Sequence, residues 1–191
     1  MGTLGYLTIA ISVVWLVSEA RIDASRRPGA SAAVDDRRSH VLMWMSSFVG
    51  IAVGLAVKLW LRGAGEIKLF SPVLGYFGCA LMVGGMILRW SAIATLKKQF
   101  TVDVAIVEGH QIVDTGLYGL VRHPSYLGGL ITFVGLGVAW ENWISLLVML
   151  AVRLPATYYR IAVEEQVLVR HFGDAYLTYR KRTKGLIPGI I

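Results

Sequence analysis

A group of polar side chains stands immediately before an apolar run in the second half of the chain. Residues 116–140 read GLYGLVRHPSYLGGLITFVGLGVAW, and the apolar run follows the proline. Pro124 predicts a helix start, because a missing N–H has no partner to lose in the first turn. His123 would then lie at the helix N-terminus, where free amide groups and the positive end of the dipole favour an anion. Arg122 adds a permanent cation whose planar donor fork fits a carboxylate or phosphate.

This group predicts an anion-binding corner at the cytoplasmic edge of a membrane. The alternative is a helix start signal that carries a charge for topology. A metal site is disfavoured, because no other histidine is closely paired with His123 at helical spacing. The single cysteine, Cys79, lies in an apolar run and cannot complete a zinc set or form an intramolecular disulfide.

Two adjacent carboxylates, Glu164 and Glu165, stand near the cytoplasmic end of the last apolar run. Carboxylates at membrane depth are costly, so they usually pair with a cation or line a site. Arg160 lies four residues before Glu164 on the same helical face, and an intrahelical ion pair is therefore available to Glu164. For Glu165 the predicted partner is Arg122, across the fold.

A stripe of larger side chains follows the glutamates. Leu168, Phe172, Tyr176 and Tyr179 recur at three- and four-residue spacing, which is typical of one amphipathic helix. Such a helix packs on the protein or lies on the membrane surface. The two phenols could also form the wall of a cofactor pocket. Gly173 predicts a break in this segment, and Pro188 predicts its stop.

The composition places the chain in a bilayer. Of its 191 residues 55% are hydrophobic and only 16% are charged, with a mean hydropathy of +0.61, whereas soluble domains are about 25% charged. The net charge of +7 comes from short basic clusters between apolar spans. Membrane topology places basic residues in this way, so we expect no nucleic-acid partner.

The apolar runs predict an all-α integral membrane protein with five transmembrane segments, since a spanning helix needs about 20 apolar residues. The last two segments form a helical hairpin that turns at the polar residues between Trp140 and Trp143. A C-terminal cytoplasmic helical part would bind a cofactor. Residues 1–95 would contain three membrane helices, with a cytoplasmic loop near residues 19–40, and residues 96–191 the catalytic part. The predicted runs are Leu4–Ser18, Val41–Leu61, Leu69–Ile93 and, for the hairpin, Tyr126–Tyr159.

Basic residues predict the orientation of these segments. They concentrate after the first span, after the third span and in the C-terminal tail, and are few near residues 58–68. Cytoplasmic loops carry the excess of Lys and Arg, so we expect the N-terminus outside the cell membrane. The C-terminus and the Arg122 group would then both be cytoplasmic.

Glycines recur in the third span and in the hairpin. Small residues let membrane helices approach closely, so this pattern predicts helix packing. The residues are Gly75, Gly78, Gly84, Gly85, Gly128, Gly129, Gly135 and Gly137.

The two polar segments resemble the isoprenylcysteine carboxyl methyltransferase family, and the short chain is similar to its prokaryotic members. The segments read GHQIVDTGLYGLVRHPSYLGG and EEQVLVRHFGDAYLTYRKRTKGLIPGI. The family pattern falls on Gly116, Tyr118, Arg122, His123, Pro124, Tyr126 and Gly128, then on Glu164, Glu165, Leu168, Phe172, Gly173, Tyr176, Tyr179 and Pro188.

The resemblance implies a membrane enzyme that transfers a methyl group from S-adenosylmethionine and releases S-adenosylhomocysteine. A lipid-like or prenylated small substrate would enter sideways from the bilayer, with membrane lipids around the protein. Arg122 and Glu165 would be nearest the transfer, and Arg122 would hold an acceptor carboxylate by bidentate hydrogen bonds. The residues implied for the cofactor are His110, Gln111, Ile112, Val113, Gly116, Tyr118, His123, Pro124, Tyr126, Glu164 and Tyr176.

Other functions remain open on the same sequence. A related enzyme could methylate phospholipid amines or small thiols. A non-methyltransferase of related fold, such as a sterol-type reductase that binds another cofactor, is a further alternative. The sequence predicts neither the natural acceptor nor the oligomeric state.

Overall fold

The computed structural model describes residues 2–25, 37–61, 63–104, 106 and 109–187. Within these ranges the regular structure is helical, with two isolated β-bridges, Glu66–Asn142 and Val121–Lys184. The helices are α1 (Thr3–Ser25), α2 (Arg37–Trp60), α3 (Val73–Leu96), α4 (Leu117–Leu120), α5 (Pro124–Ala139), α6 (Trp143–Phe172) and α7 (Asp174–Arg182), with a 3₁₀ turn at Lys97–Gln99.

The prediction of an all-helical integral membrane protein is confirmed. Four described helices, α1, α2, α3 and α6, are long and apolar enough to cross a bilayer. The shorter α5 has 16 residues and is therefore about 24 Å long, less than the roughly 30 Å of a hydrocarbon core. The predicted fifth crossing is not matched by a helix of full spanning length.

Two predicted boundaries were wrong. The first span does not end at Ser18, because α1 continues to Ser25; the predicted loop near residues 19–40 is correspondingly shorter, and its residues 26–36 lie outside the described part. The last span does not end near Tyr159, because α6 is one helix of 30 residues through Phe172. Polar side chains in both extensions find partners inside the protein, so polarity does not end these helices.

The predicted glycine packing joins α3 to α5. A Cβ on Gly85 would lie 2.5 Å from the Thr132 backbone nitrogen, and a Cβ on Gly128 would lie 2.6 Å from the Arg89 backbone nitrogen. Gly78 and Gly135 face backbone atoms in the same way. The two helices therefore touch backbone to backbone. This does not hold for Gly84 and Gly129, where an added Cβ would meet nothing within 4 Å.

The core lies between α1, α3, α5 and α6, where Phe133, Met82 and Met149 are fully buried. Trp15 of α1 packs edge-on against Phe133, with ring centroids 6.0 Å apart. Many large apolar side chains of α1 and α2 are exposed instead, as expected for helices that face lipid. This core holds α5 at a fixed depth against its neighbours.

The predicted hairpin turn is present between α5 and α6. Asn142 is almost fully buried there, and its side-chain oxygen accepts a hydrogen bond from the Ser145 backbone N–H at 2.9 Å, which caps α6. The amide nitrogen of Asn142 donates to the carbonyl of Ala64 at 2.9 Å. The turn is thereby attached to the segment that connects α2 and α3.

The predicted break at Gly173 is confirmed and changes the expected stripe. Gly173 has φ of 53°, in the left-handed region that glycine adopts without strain, and it separates α6 from α7. Leu168 and Phe172 therefore lie on α6, and Tyr176 and Tyr179 lie on α7. The stripe is thus divided between two helices, because the backbone turns between the two pairs.

The chain after α7 returns to the start of α5. The Arg122 backbone N–H donates to the carbonyl of Lys184 at 2.8 Å, and that of His123 donates to the carbonyl of Gly185 at 3.0 Å. Leu186 is buried against apolar side chains of α5 and α6. We call residues 183–186 the C-terminal strap, and it fixes the backbone on which the Arg122 side chain stands. Pro188, the predicted stop, lies outside the described residues.

Candidate functional site

Arg122 and Glu165 form the centre of the site. Arg122 Nε donates to Glu165 Oε1 at 2.8 Å, so the predicted contact across the fold is present. Arg122 Nη1 donates to the carbonyls of Arg180, at 3.2 Å, and Thr183. Two of the three guanidinium nitrogens are thus held by the protein. Nη2 has no protein partner among the described residues, so it is the nitrogen that could donate a hydrogen bond to a bound anion.

Glu165 is nearly buried and is surrounded by nitrogen groups. Besides the contact with Arg122, Nε2 of the buried His123 lies 3.2 Å from Glu165 Oε1, and Arg180 Nε lies 3.4 Å from Oε2. A carboxylate with several such partners is fixed in position. Glu165 is therefore placed to orient Arg122 rather than to accept a ligand.

Glu164 faces a different group of side chains. The Tyr126 hydroxyl donates to Glu164 Oε2 at 2.7 Å, and Arg160 Nε donates to the same hydroxyl oxygen at 3.0 Å. Arg160, predicted as an intrahelical partner of Glu164, also donates to Ser39 Oγ at 2.7 Å and to the carbonyl of Val102 at 2.6 Å. Arg160 therefore connects α6 to α2, to α5 and to the segment after α3.

Three tyrosines come from the two short helices: Tyr118 lies on α4, and Tyr176 and Tyr179 lie on α7. Tyr179 donates its hydroxyl to the carbonyl of Tyr118 at 2.6 Å, and the Tyr118 hydroxyl donates to the carbonyl of Ala92 at 3.3 Å. The Tyr176 hydroxyl is buried without a partner. Burial raises the pKa of Tyr118 and of Tyr176 far above the usual value, and raises the pKa of Tyr179 to about 12. All three are neutral phenols at physiological pH.

His110 belongs to the segment that connects α3 with α4. Its Nδ1 is buried without a hydrogen-bond partner, and its ring packs edge-on against Phe172, with centroids 5.5 Å apart. Burial and the neighbouring His171 lower the pKa of His110, while Glu164 opposes them. Next to it, the Gln111 backbone N–H donates to Gln99 Oε1 at 2.6 Å. His110 is therefore a neutral imidazole with one unused nitrogen.

These side chains line one cavity of about 180 Å³. Arg122 lines it, whereas Glu165 stands behind Arg122 and does not. Gly116 and Pro124 do not line it: Gly116 begins α4 with φ of 59°, and Pro124 is the buried first residue of α5. Of the residues implied for the cofactor, those that line the cavity are His110, Gln111, Ile112, Val113, Tyr118, His123, Tyr126, Glu164 and Tyr176.

The N-terminal helices also contribute to the cavity, which the sequence reasoning missed. Arg89 of α3 donates to both oxygens of Glu19, at 2.6 and 2.8 Å, and to Ser125 Oγ at 3.0 Å. His40 Nε2 lies 2.7 Å from Asp23 Oδ1. The signal available in the sequence was the charge of Glu19 and Arg89 within or beside apolar runs, since intramembrane charges usually pair or mark a site.

The helices define an integral membrane protein with a cavity that residues of both its N- and C-terminal parts line. Residues 73–175 match the family model described as phospholipid methyltransferase, and the chain belongs to this family.

Within that family the chain is similar to isoprenylcysteine methyltransferases. It is 37% identical over 114 residues to protein-S-isoprenylcysteine O-methyltransferase B of Arabidopsis thaliana, covering 59% of this chain and 58% of that protein. It is 38% identical over 106 residues to protein-S-isoprenylcysteine O-methyltransferase of Schizosaccharomyces pombe, covering 54% and 45%. The predicted resemblance is confirmed, and the chain spans about half the length of the curated relatives that it matches.

A solved structure has the same fold over most of the chain. It is that of the eukaryotic intramembrane Ras methyltransferase, isoprenylcysteine carboxyl methyltransferase, with a TM-score of 0.56 and 25% sequence identity. The match covers 83% of this chain and 55% of the other.

Proposed function

We propose that this protein is an S-adenosylmethionine-dependent methyltransferase that esterifies the carboxylate of a lipid-like thioether at the cytoplasmic face of the cell membrane. The observation that carries the proposal is the set of contacts that Arg122 makes. Its guanidinium lines the cavity and is fixed by Glu165 and by the C-terminal strap, yet Nη2 stays open to a ligand. The names of the relatives support the same activity.

The residues around the cavity fit the proposed cofactor. The unpartnered Tyr176 hydroxyl can donate a hydrogen bond, and the unpartnered Nδ1 of the neutral His110 can take part in another. Phenol rings at Tyr118, Tyr126 and Tyr176 can stack on a purine or face a cationic sulfur. Buried polar atoms are rarely left without a partner, so the two orphans favour a polar ligand in this part of the cavity.

When bound, the cofactor would supply a methyl group on a sulfonium sulfur; on transfer to an acceptor oxygen the carbon–sulfur bond would break, and its electron pair would stay on the sulfur of S-adenosylhomocysteine. A carboxylate acceptor is already the nucleophile and needs no general base. Arg122 would bind it through Nη2 and bring it out of water in a defined position, which contributes much of the acceleration in such a reaction. The neutral tyrosines exclude water without competing as nucleophiles.

The charges in the cavity favour a carboxylate acceptor over a phospholipid amine, which the family description would suggest. An amine would need an open carboxylate in the site. The described carboxylates that line the cavity already have partners: Glu19 has Arg89, Asp23 and Asp103 have His40, and Glu164 has Tyr126. The orientation that we propose, with the N-terminus outside and the site cytoplasmic, has the support of the basic residues near α7 and the 3₁₀ turn.

Two measurements on the detergent-solubilised protein test the proposal. Calorimetric titration with S-adenosylhomocysteine should show one site, and no binding at about 1 mM, a free energy near −4 kcal/mol, would rule out the methyltransferase. Transfer of a labelled methyl group should then be assayed with a farnesylcysteine analogue, phosphatidylethanolamine and a simple thiol. Transfer to the carboxylate is expected; transfer to the amine or thiol alone would replace the acceptor assignment.

A further inference from the structure

The cavity continues from the proposed transfer site into the membrane part of the protein, where it meets Arg153. This residue lies ten positions after the start of α6, about 15 Å along the helix axis. A helix that enters the hydrocarbon at the turn before Trp143 reaches the middle of a core of about 30 Å at this distance. A guanidinium at the bilayer centre is disfavoured by about 2.5–3.5 kcal/mol on insertion scales, so its surroundings have to compensate for the charge.

The protein compensates only part of that charge. Arg153 Nη1 donates to the carbonyl of Met43 at 2.7 Å and to the hydroxyls of Ser46 and Ser47 at 3.1 and 2.9 Å. The Arg153 guanidinium also lies 5.7 Å from the centre of the Phe133 ring. All these partners are neutral, and no carboxylate of the described residues forms an ion pair with Arg153. Its Nε is buried with no hydrogen-bond partner.

The other described arginines of the cavity differ from Arg153. Arg89 is paired with both oxygens of Glu19, and Arg122 is paired with Glu165. The three named partners of Arg160 are also neutral oxygens, but each of its three guanidinium nitrogens donates to one, whereas the bonds of Arg153 all come from Nη1. Glu19 attracts Arg153 electrostatically, but its ion pair is with Arg89, so the positive charge of Arg153 is only partly compensated in this low-dielectric space and favours an anion there.

Gly129 gives a second, independent observation that this part of the cavity has room for a ligand. It is buried and lines the cavity, yet a Cβ built on it would meet nothing within 4 Å. Tyr126 and Gly129 are three residues apart and share one face of α5, so this space adjoins the proposed transfer site. Trp15, Met43, Ser47 and Arg153 line the same cavity.

We propose that this intramembrane arm of the cavity, with Arg153 on its wall and open space at Gly129, binds the carboxylate or phosphate of a lipid-borne ligand. The arm would hold that anion at membrane depth while the lipid tail stays in apolar surroundings. The site is a second anion site, separate from Arg122, and it restricts the ligands of the cavity to acidic lipids. This inference does not rest on the proposed function, in which the acceptor carboxylate binds Arg122.

Binding can be followed through Trp15, which lines the arm. Dibromostearate and its methyl ester, whose bromines quench tryptophan on contact, are titrated into the full protein in uncharged detergent. The signal assigned to the arm is the part of the quenching that is seen in the unaltered protein and is absent from a Trp15→Phe variant. The acid should reach half of its maximal quenching at a concentration about tenfold lower than the ester needs. This ratio is expected for one charge-assisted hydrogen bond. Equal action of acid and ester in the unaltered protein would overturn the proposal.

Three variants separate the charge from the space. Arg153→Gln should reduce the preference for the acid to less than about threefold, and Arg153→Lys should retain part of it, because the lysine keeps a cation. Gly129→Leu should weaken acid and ester alike by filling the arm. A full preference for the acid in Arg153→Gln would refute the role of Arg153. Competition gives a second test, in which inorganic phosphate and phosphatidic acid each displace the bound acid. If both displace it at the same concentration, the proposal is refuted, because the anion would then bind without its lipid.

Titration with S-adenosylhomocysteine distinguishes failure of this inference from failure of the proposed function. Arg153→Gln should bind it as the unaltered protein does, which also shows that the variant is folded. If the unaltered protein does not bind S-adenosylhomocysteine but keeps the preference for the acid, the methyltransferase proposal fails and the anion site stands.

Discussion

Arg122 Nε donates to Glu165 Oε1 at 2.8 Å, between residues that are 43 positions apart in the chain. The same guanidinium is held from its other side by backbone carbonyls of Arg180 and Thr183. A side chain held at two nitrogens can present the third with little loss of conformational entropy. This relationship makes Arg122 a fixed donor at the cavity wall.

Arg122→Ala should abolish methyl transfer while leaving cofactor binding almost intact. Loss of a positioned donor to a reacting group costs roughly 100-fold or more in kcat. Affinity for S-adenosylhomocysteine should change by less than about threefold, a free energy below 1 kcal/mol. Arg170→Ala, which removes an exposed arginine of α6, is the matched control. Equal losses of turnover and of cofactor affinity would place Arg122 in the cofactor pocket instead.

Glu165→Gln and Glu164→Gln should have different effects. Glutamine at 165 keeps the size but loses the charge that orients Arg122, so kcat should fall by roughly 10- to 100-fold with little change in cofactor affinity. Glutamine at 164, which lines the cavity, should weaken S-adenosylhomocysteine binding more than turnover. Steady-state kinetics together with calorimetry would check both, and the same pattern in the two variants would contradict the separation of roles.

Deletion of the chain from Lys184 onward should destabilise the start of α5. The backbone N–H groups of Arg122 and His123 would lose their acceptors, and the cavity left by Leu186 would remain unfilled. We expect a free energy of unfolding lower by several kcal/mol, about 2–5 for the lost leucine alone, and loss of transfer. Thermal unfolding in detergent measures this. Lys184→Ala keeps the backbone acceptor and should behave like the unaltered protein.

Gly85→Ala should destabilise the contact between α3 and α5. The new Cβ would meet the Thr132 backbone nitrogen at 2.5 Å, and backbone cannot move aside as a side chain can, so about 1–3 kcal/mol should be lost. Gly84→Ala, one position earlier with open space around it, is the control and should gain up to about 1 kcal/mol from helix propensity. Similar melting temperatures for the two variants would contradict the close packing.

The stability of the protein should fall as the pH decreases through and below about 6.5, the ordinary pKa of histidine. Burial lowers the pKa of His110 in the folded state, so the unfolded chain takes up a proton at a higher pH than the folded one. Acid therefore favours unfolding in this range. His110→Gln should show a weaker dependence between pH 5 and 7 in detergent. An unchanged dependence would mean that other groups cause it.

Features that depend on the local backbone were predictable from the sequence. Pro124 indicated a helix start, Gly173 indicated a break and the polar residues near Asn142 indicated a turn, because each acts through its own backbone. The glycine pattern predicted close helices but did not distinguish Gly85, which touches backbone, from Gly84, which does not. That difference depends on helix rotation, which periodicity leaves open.

The sequence by itself determined a helical membrane protein with two polar segments of defined chemistry, because apolar length and residue type are local properties. The tertiary structure bore out the predicted contact of Glu165 with Arg122, and it alone decided that Glu164 faces Tyr126 and that α1 and α2 complete the cavity. It also decided that Arg153 has no carboxylate partner among the described residues. These relationships join positions far apart in the chain, and their geometry follows from how the helices pack.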